Sequence, residues 1–196
     1  MKYDILTESV PGKAKQNEDC FGIRQFGDDI LVALADGISS SDCAKEAADL
    51  AVDTILNTFD GNKPVSDALY NSIMEANGRI ADICKARCCK MGCAIAIAFL
   101  KNGKIFFVSL GNVRIYLHSG ESKTCITTDH IYVASNGNRF LTRSISGKDI
   151  LGKVEIKECT LNRISAITLE TDGYYNNDDS DDSTIVTLRS MTQINE

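Results

Sequence analysis

The period of the apolar residues changes twice along this chain, and that change limits the folds open to it. Three short runs, YDILTES from Tyr3, CFGIRQF from Cys20 and DILVALADG from Asp29, are rich in Ile, Val, Leu and Phe and separated by turn residues, as strands are. The spacing then becomes three and four. Ala44, Ala47, Ala48, Ala51 and Ile55 share one face of a predicted helix, with Ser39, Ser40, Ser41 and Asp42 ahead of it as candidate caps. After the loop FDGNKPV, Ser66 is the candidate cap of a second predicted helix, whose apolar face runs Leu69, Ile73, Ala76, Ile80 and Ile83.

Beyond Gly92 the period of two returns in CAIAIAFL, KIFFVSLG, VRIYLHSG and SKTCITT, with an Asn-Gly turn in KNGK joining the first pair. Residues 131 to 152, rich in Ser, Thr, Asn and Gly, read mostly as loop around a short apolar anchor at Phe140 and Leu141. Strands resume in KVEIKECTL, ISAITLETDG and STIVTLR. Three strands, two helices and then further strands predict an α+β chain with mostly antiparallel sheets and helices laid on an outer face.

At 196 residues and 43% hydrophobic, with two prolines, the chain is expected to fold as one domain over residues 1–196 without metal or disulfide staples. Its formal charge of 21 − 27 = −6 and the lack of a basic stripe argue against a nucleic-acid partner, since such binding neutralises phosphates with clustered Lys and Arg. Charges at Lys2, Asp4 and Glu8 interrupt the apolar stretch a signal peptide needs, and no run approaches a membrane span. No membrane association and a cytoplasmic location are therefore expected.

Of eight cysteines, four stand in CKARCCKMGC as C-x3-C-C-x3-C at the end of a predicted helix, unlike the separated C-x2-C pairs of zinc sites. They read as reduced thiols used as small apolar residues, with Cys88 and Cys89 the most open to oxidation.

Acidic residues recur at strand ends: Glu18 and Asp19, Asp36 followed by Gly37, Asp172 followed by Gly173, and Asp181. A carboxylate at the end of an apolar strand, with glycine letting the backbone turn, is where a scaffold can hold a hard cation such as Mg²⁺ or Mn²⁺ through oxygen ligands. Taken singly, each segment reads first as an Asp-Gly turn or a solvated acidic loop, and it is the recurrence at four places that suggests one shared site. With two histidines and no Gly-x-Ser-x-Gly elbow, P-loop or His-rich metal motif, metal-activated water is the chemistry best supported.

The order GKAKQNED, LADGISS, MGCAIAIAFL, GNVRIYLHSG, TTDH, NRFLTRSISG, LETDGYYN and DDSTIVTLR, spread over residues 12 to 189, resembles the metal-dependent serine/threonine protein phosphatases of the 2C type in their compact bacterial form. The resemblance implies a four-layer α-β-β-α sandwich of two mostly antiparallel sheets flanked by helices, with a metal centre at one edge between the sheets. It further implies that Asp36 bridges two Mn²⁺ or Mg²⁺ ions, that Gly37 offers one of them its carbonyl, and that Asp172 and Asp181 hold the second. Asp19, with Glu18 beside it, would act on the first ion largely through water. The implied reaction is attack of metal-bound hydroxide on a phosphorylated protein, with Asp36 and Asp172 the catalytic carboxylates.

The departures from the family pattern are specific. An Arg that commonly pairs with substrate phosphate is Ala14 here, leaving the flanking Lys13 and Lys15 as phosphate-binding candidates, or as solvated loop. Asn112 stands where bacterial relatives carry an Asp that can hold a third ion, so two ions per site are expected. Ser39 and Ser40 replace paired glycines, and the segment after His130 is shorter than the relatives' flap. His130 and Arg114 are expected in structural roles. Two readings stay open: an active phosphatase, and a weak or inactive pseudophosphatase that binds phosphoproteins. A carboxylate-metal phosphodiesterase lacks the catalytic His and basic groove it would need.

Overall fold

The computed structural model describes residues 2–13, 16–148 and 153–191. Two five-stranded sheets are built from β1 (Tyr3–Val10), β2 (Asp19–Phe26), β3 (Asp29–Gly37), β4 (Cys93–Lys101), β5 (Lys104–Leu110), β6 (Arg114–Ser119), β7 (Ser122–Cys125), β10 (Lys157–Thr160), β11 (Ala166–Glu170) and β12 (Ser183–Ser190). The first sheet runs β1-β12-β11-β6-β7 and the second β10-β5-β4-β3-β2, every pairing being antiparallel among the described residues. This is the expected α+β sandwich.

Strands β3 and β4 explain the layering. Leu31, Ala33 and Ala35 of β3 point into a core shared with the helices, while Ile30, Val32 and Leu34 point into the core between the sheets. In β4 the large side chains Ile95, Ile97 and Phe99 face the helices, and Ala94, Ala96 and Ala98 face the other sheet. Continuous apolar runs are thus period-two strands buried on both faces. Helices α1 (Ala44–Thr58) and α2 (Val65–Arg87) cover the second sheet, and the short α3 (Asp172–Asn176) follows β11 and packs beside β12. No helix among the described residues is long and apolar enough to cross a membrane.

Several local expectations differ from what folding chose. The N-caps are Cys43 for α1 and Pro64 for α2, neither with a side-chain cap bond. Asp42 instead receives the Lys90 N–H at 2.8 Å and donates its own N–H to the Lys90 carbonyl at 2.9 Å, tying the start of α1 to the end of α2. Part of the expected loop after His130 forms a small hairpin, β8 (Ile131–Val133) with β9 (Arg139–Leu141). The eight cysteines are free thiols. Cys93 is buried, Cys20, Cys43, Cys84 and Cys89 pack against the helix-side core, and Cys88 and Cys125 are exposed.

Phe26, Phe59 and Phe99 form an aromatic cluster, with Phe59 and Phe99 centroids 4.7 Å apart and Phe26 edge-on to both. Phe99 is fully buried, so Phe99→Ala removes both transfer energy and packing. The expected loss is about 3–5 kcal/mol of unfolding free energy, read from urea denaturation.

Candidate active site

Four strand ends converge on one edge of the sandwich. Asp19 opens β2 and Asp36 closes β3, and the two are direct partners in the antiparallel register. From the facing sheet, β11 delivers Asp172 at the start of α3, and the loop before β12 delivers Asp181. Strand β12 pairs with β11 and also touches β2, which brings the two sets together.

Backbone ties set this arrangement. The buried Asp182 carboxylate accepts the Gly12 N–H at 2.8 Å and the Glu18 N–H at 2.6 Å, and the Glu18 carbonyl accepts the Gly37 N–H at 3.3 Å. The approach is close enough to require glycine. A Cβ on Gly12 would lie 2.5 Å from the Asp181 carbonyl carbon, and one on Gly37 would lie 2.7 Å from the Ala44 carbonyl. Thr171 links the sheets directly: its hydroxyl donates to Asp19 Oδ2 at 3.0 Å and accepts the Thr184 N–H at 2.9 Å.

Asp19 is only 4% exposed, and its Oδ1 has no hydrogen-bond partner among the described residues. Burial raises its pKa to about 6 even though the hydroxyls of Thr184 and Thr171 pull it down. Asp36 is raised well above the ordinary carboxylate range, first by burial, then by the charges of Asp19 and Asp172 and a hydrogen bond with Asp172. Asp181 is raised by burial and by Asp172. These carboxylates sit within range of one another and hold protons that isolated ones would release. No three described His, Cys, Asp or Glu side chains are already gathered tightly enough to grip an ion. The orphaned oxygen of Asp19 and the all-oxygen set around it nevertheless have the chemistry of a hard divalent cation site.

The other predicted residues fall into place differently. Glu18 contributes its backbone on both sides of the site. Lys13 is exposed, donates its N–H to the Ser180 carbonyl at 3.2 Å, and its charge lies near Asp178. Lys15 and Ala14 lie outside the described residues. Asn112 donates its amide to Asp172 Oδ2 at 2.8 Å, so a neutral donor orients that carboxylate. Arg114 forms a bidentate pair with Asp129 at 2.9 and 2.7 Å and stacks 3.8 Å over the Tyr175 ring. The Tyr175 hydroxyl in turn donates to the Asn112 carbonyl at 3.1 Å. His130 bonds to Gly111 and Arg143 and stands outside the carboxylate set.

Sequence reasoning missed Asp182, Thr171 and Thr184. The acidic residues from Glu170 to Asp182 are close in sequence yet do separate work. Glu170, 1% exposed, pairs with Lys123 at 2.8 Å, Asp178 receives the Ser180 hydroxyl and N–H, and Asp182 takes two backbone N–H groups. Only Asp172 and Asp181 face the site. The one available signal was the pattern Asp181-Asp182-Ser183-Thr184, in which alternate residues of an entering strand point opposite ways.

A sequence profile described as Protein phosphatase 2C matches residues 12–196. The chain belongs to the protein phosphatase 2C family. Its fold is that of the serine/threonine phosphatase Stp1 from Staphylococcus aureus, with a TM-score of 0.87 at 15% identity over 98% of this chain and 96% of that one. The Streptococcus agalactiae serine/threonine phosphatase gives 0.82 at 16% identity, covering 95% and 99% of the two chains. PppA, a regulatory component of the type VI secretion system in Pseudomonas aeruginosa, gives 0.74 at 19% identity, covering 96% and 98%. No match was found among curated proteins compared by sequence. At these identities the structural likenesses speak to the fold.

The raised carboxylates set a pH dependence. Because Asp19 titrates near 6 when folded and near 3.9 when unfolded, the folded state binds its proton more tightly. That contribution is complete below about pH 4 and is lost as pH rises through 6. Metal-stripped protein should therefore gain thermal stability on going from pH 8 to pH 5. Asp36→Asn should raise stability at pH 8 and flatten the profile, as followed by circular dichroism melts. A melting temperature independent of pH in the unsubstituted chain would contradict the assignment.

Proposed function

We propose that this chain is a metal-dependent serine/threonine protein phosphatase that hydrolyses phosphoserine and phosphothreonine on proteins. The observation that carries the reading is the buried, unpartnered Oδ1 of Asp19 beside Asp36, which is hydrogen-bonded to Asp172. Asp19, Asp36, Asp172 and Asp181, with the Gly37 carbonyl, would hold two Mn²⁺ or Mg²⁺ ions, and Glu18 would act through water. Such ions supply a coordinated water of lowered pKa and offset charge on a phosphoryl group.

The chain's own residues prepare that site. Thr171 holds one oxygen of Asp19 and leaves the other free, and Asn112 fixes the rotamer of Asp172 while occupying one of its lone pairs. Release of the protons held by Asp36 and its neighbours is the condition for all four carboxylates to act as ligands, so metal affinity falls as pH drops through about 6. Asp182 clamps the segment bearing Lys13, whose ammonium, with that of Lys15, would meet the phosphate as a point charge in place of a bidentate fork.

A second reading, a phosphoprotein-binding pseudophosphatase, draws on Ala14 and on the Asn112 amide bonded to Asp172. Assay with p-nitrophenyl phosphate and a phosphothreonine peptide, in Mn²⁺ and in EDTA, separates the two. The expected result is Mn²⁺-dependent turnover that drops by roughly a thousandfold or more in Asp172→Ala while the melting curve stays cooperative. Phosphopeptide binding with no turnover in any divalent ion would establish the second reading instead.

A further inference from the structure

Away from the carboxylates, the edge of the sandwich beside β5 and β10 holds a cavity of about 90 Å³. Arg143, Lys153 and Lys157 line it, with His130 in its wall. Neither lysine makes an ion pair with a described residue, and Arg143 has no carboxylate partner there either. Arg143 donates from Nη2 to the Lys153 carbonyl at 2.9 Å and meets His130 Nε2 through Nη1 at 3.3 Å, and its Nε is buried with no acceptor. Glu155 is the single acidic residue in the lining.

The donor count around His130 sharpens the point. Its Nδ1 faces the Gly111 N–H at 3.3 Å, and its Nε2 faces Arg143 Nη1, also at 3.3 Å. Guanidinium and backbone N–H groups are only donors, and a neutral imidazole has a single acceptor nitrogen. One of the two N–H groups therefore has no acceptor, or the ring's own N–H points at a donor. The Nε of Arg143 and one donor at His130 are thus left without an acceptor, and the same lining holds two lysines with no ion pair to a described residue. The hydroxyl of Thr128, also in the lining, adds another donor.

The geometry points to an oxyanion-binding site here, built for a phosphoryl-type tetrahedral anion and separate from the metal-binding carboxylates. Such an anion supplies several acceptor oxygens at once, offsets the unpaired cations, and suits the planar donors of Arg. Its source is either free inorganic phosphate or a phosphoresidue on a protein. The wall of the cavity also reaches the candidate active site in two steps, since His130 is bonded to Gly111 and the adjacent Asn112 holds Asp172. Occupancy would therefore bear on the placement of Asp172. The site's existence does not depend on the phosphatase activity proposed above.

The test uses protein stripped of metal and dialysed, so that the carboxylate cluster repels anions and cannot report on them. Inorganic phosphate is titrated at low ionic strength and followed by ³¹P line broadening, with chloride at equal ionic strength as control. Saturable binding is expected, weakened roughly tenfold in Lys157→Gln, lost in Arg143→Gln and unchanged in Asp36→Asn. Lys157 is exposed, so its variant keeps the test decisive if Arg143→Gln fails to fold. A phosphoserine peptide that binds more tightly than phosphate identifies a phosphoprotein as the source, and equal or weaker binding identifies the free anion. Absence of saturation, an equal response to chloride, or binding unaltered in Lys157→Gln would overturn the proposal.

Discussion

Two carboxylates that repel each other share one rung of the β2–β3 ladder, and the rest of the site follows from the fact that they cannot move apart. Like charges directly opposite in an antiparallel pair are unfavourable, and burial deepens the cost. For Asp19 the shift from about 3.9 to about 6, caused first by burial and then by the charges of Asp182 and Asp181, corresponds to a penalty on the order of 3 kcal/mol. Against it stands β3, whose residues Ile30 to Ala35 are each no more than 4% exposed and pack into cores on both faces. At about 1.5–3 kcal/mol for each large buried aliphatic side chain, that burial outweighs the repulsion several times over. The strand goes where its apolar residues require, and the terminal carboxylate is carried with it.

The second sheet edge is secured by hydrogen bonds rather than by burial. Thr171, Thr184 and Asp182 span sequence separations of 152 to 170 residues to hold Asp19, Gly12 and Glu18. Asp182 illustrates why an acidic residue beside a candidate cation site need not be a ligand. Both of its oxygens are already committed to backbone N–H groups, so its charge is satisfied and its effect is to fix the chain. Glu170 is similarly satisfied by Lys123 and Thr168 on the far side of β11. Among the buried oxygens of these carboxylates only Asp19 Oδ1 is left without a partner among the described residues, while Asp172 takes the Asn112 amide and Asp36 is hydrogen-bonded to Asp172.

Membership of the protein phosphatase 2C family and a fold shared with bacterial phosphatases at 15 to 19% identity show how little of the sequence the architecture needs. It needs apolar alternation in the central strands, helices with an Ala-rich face against them, and glycine where Gly12 and Gly37 meet neighbouring backbone. Of the positions that depart from the family pattern, Asn112 bonds to Asp172, and Asn112, Ser39 and Ser40 belong to neither hydrophobic core.

The sequence by itself determined the α+β class, the two amphipathic helices and the position of Asp36 and Gly37 at the end of an apolar strand, because period and turn residues act over a few neighbours. Tertiary structure alone decided the short α3, the β8–β9 hairpin and the caps of α1 and α2, where packing between distant segments overrode local preference. It also decided the division of labour among six acidic residues that look alike in the sequence. Adjacent Asp181 and Asp182 differ in role because the register that places β12 between β1 and β11 sets one near Asp172 and turns the other onto Gly12 and Glu18. That register is set by which side chains the two sheets bury together, a quantity no local stretch of sequence contains.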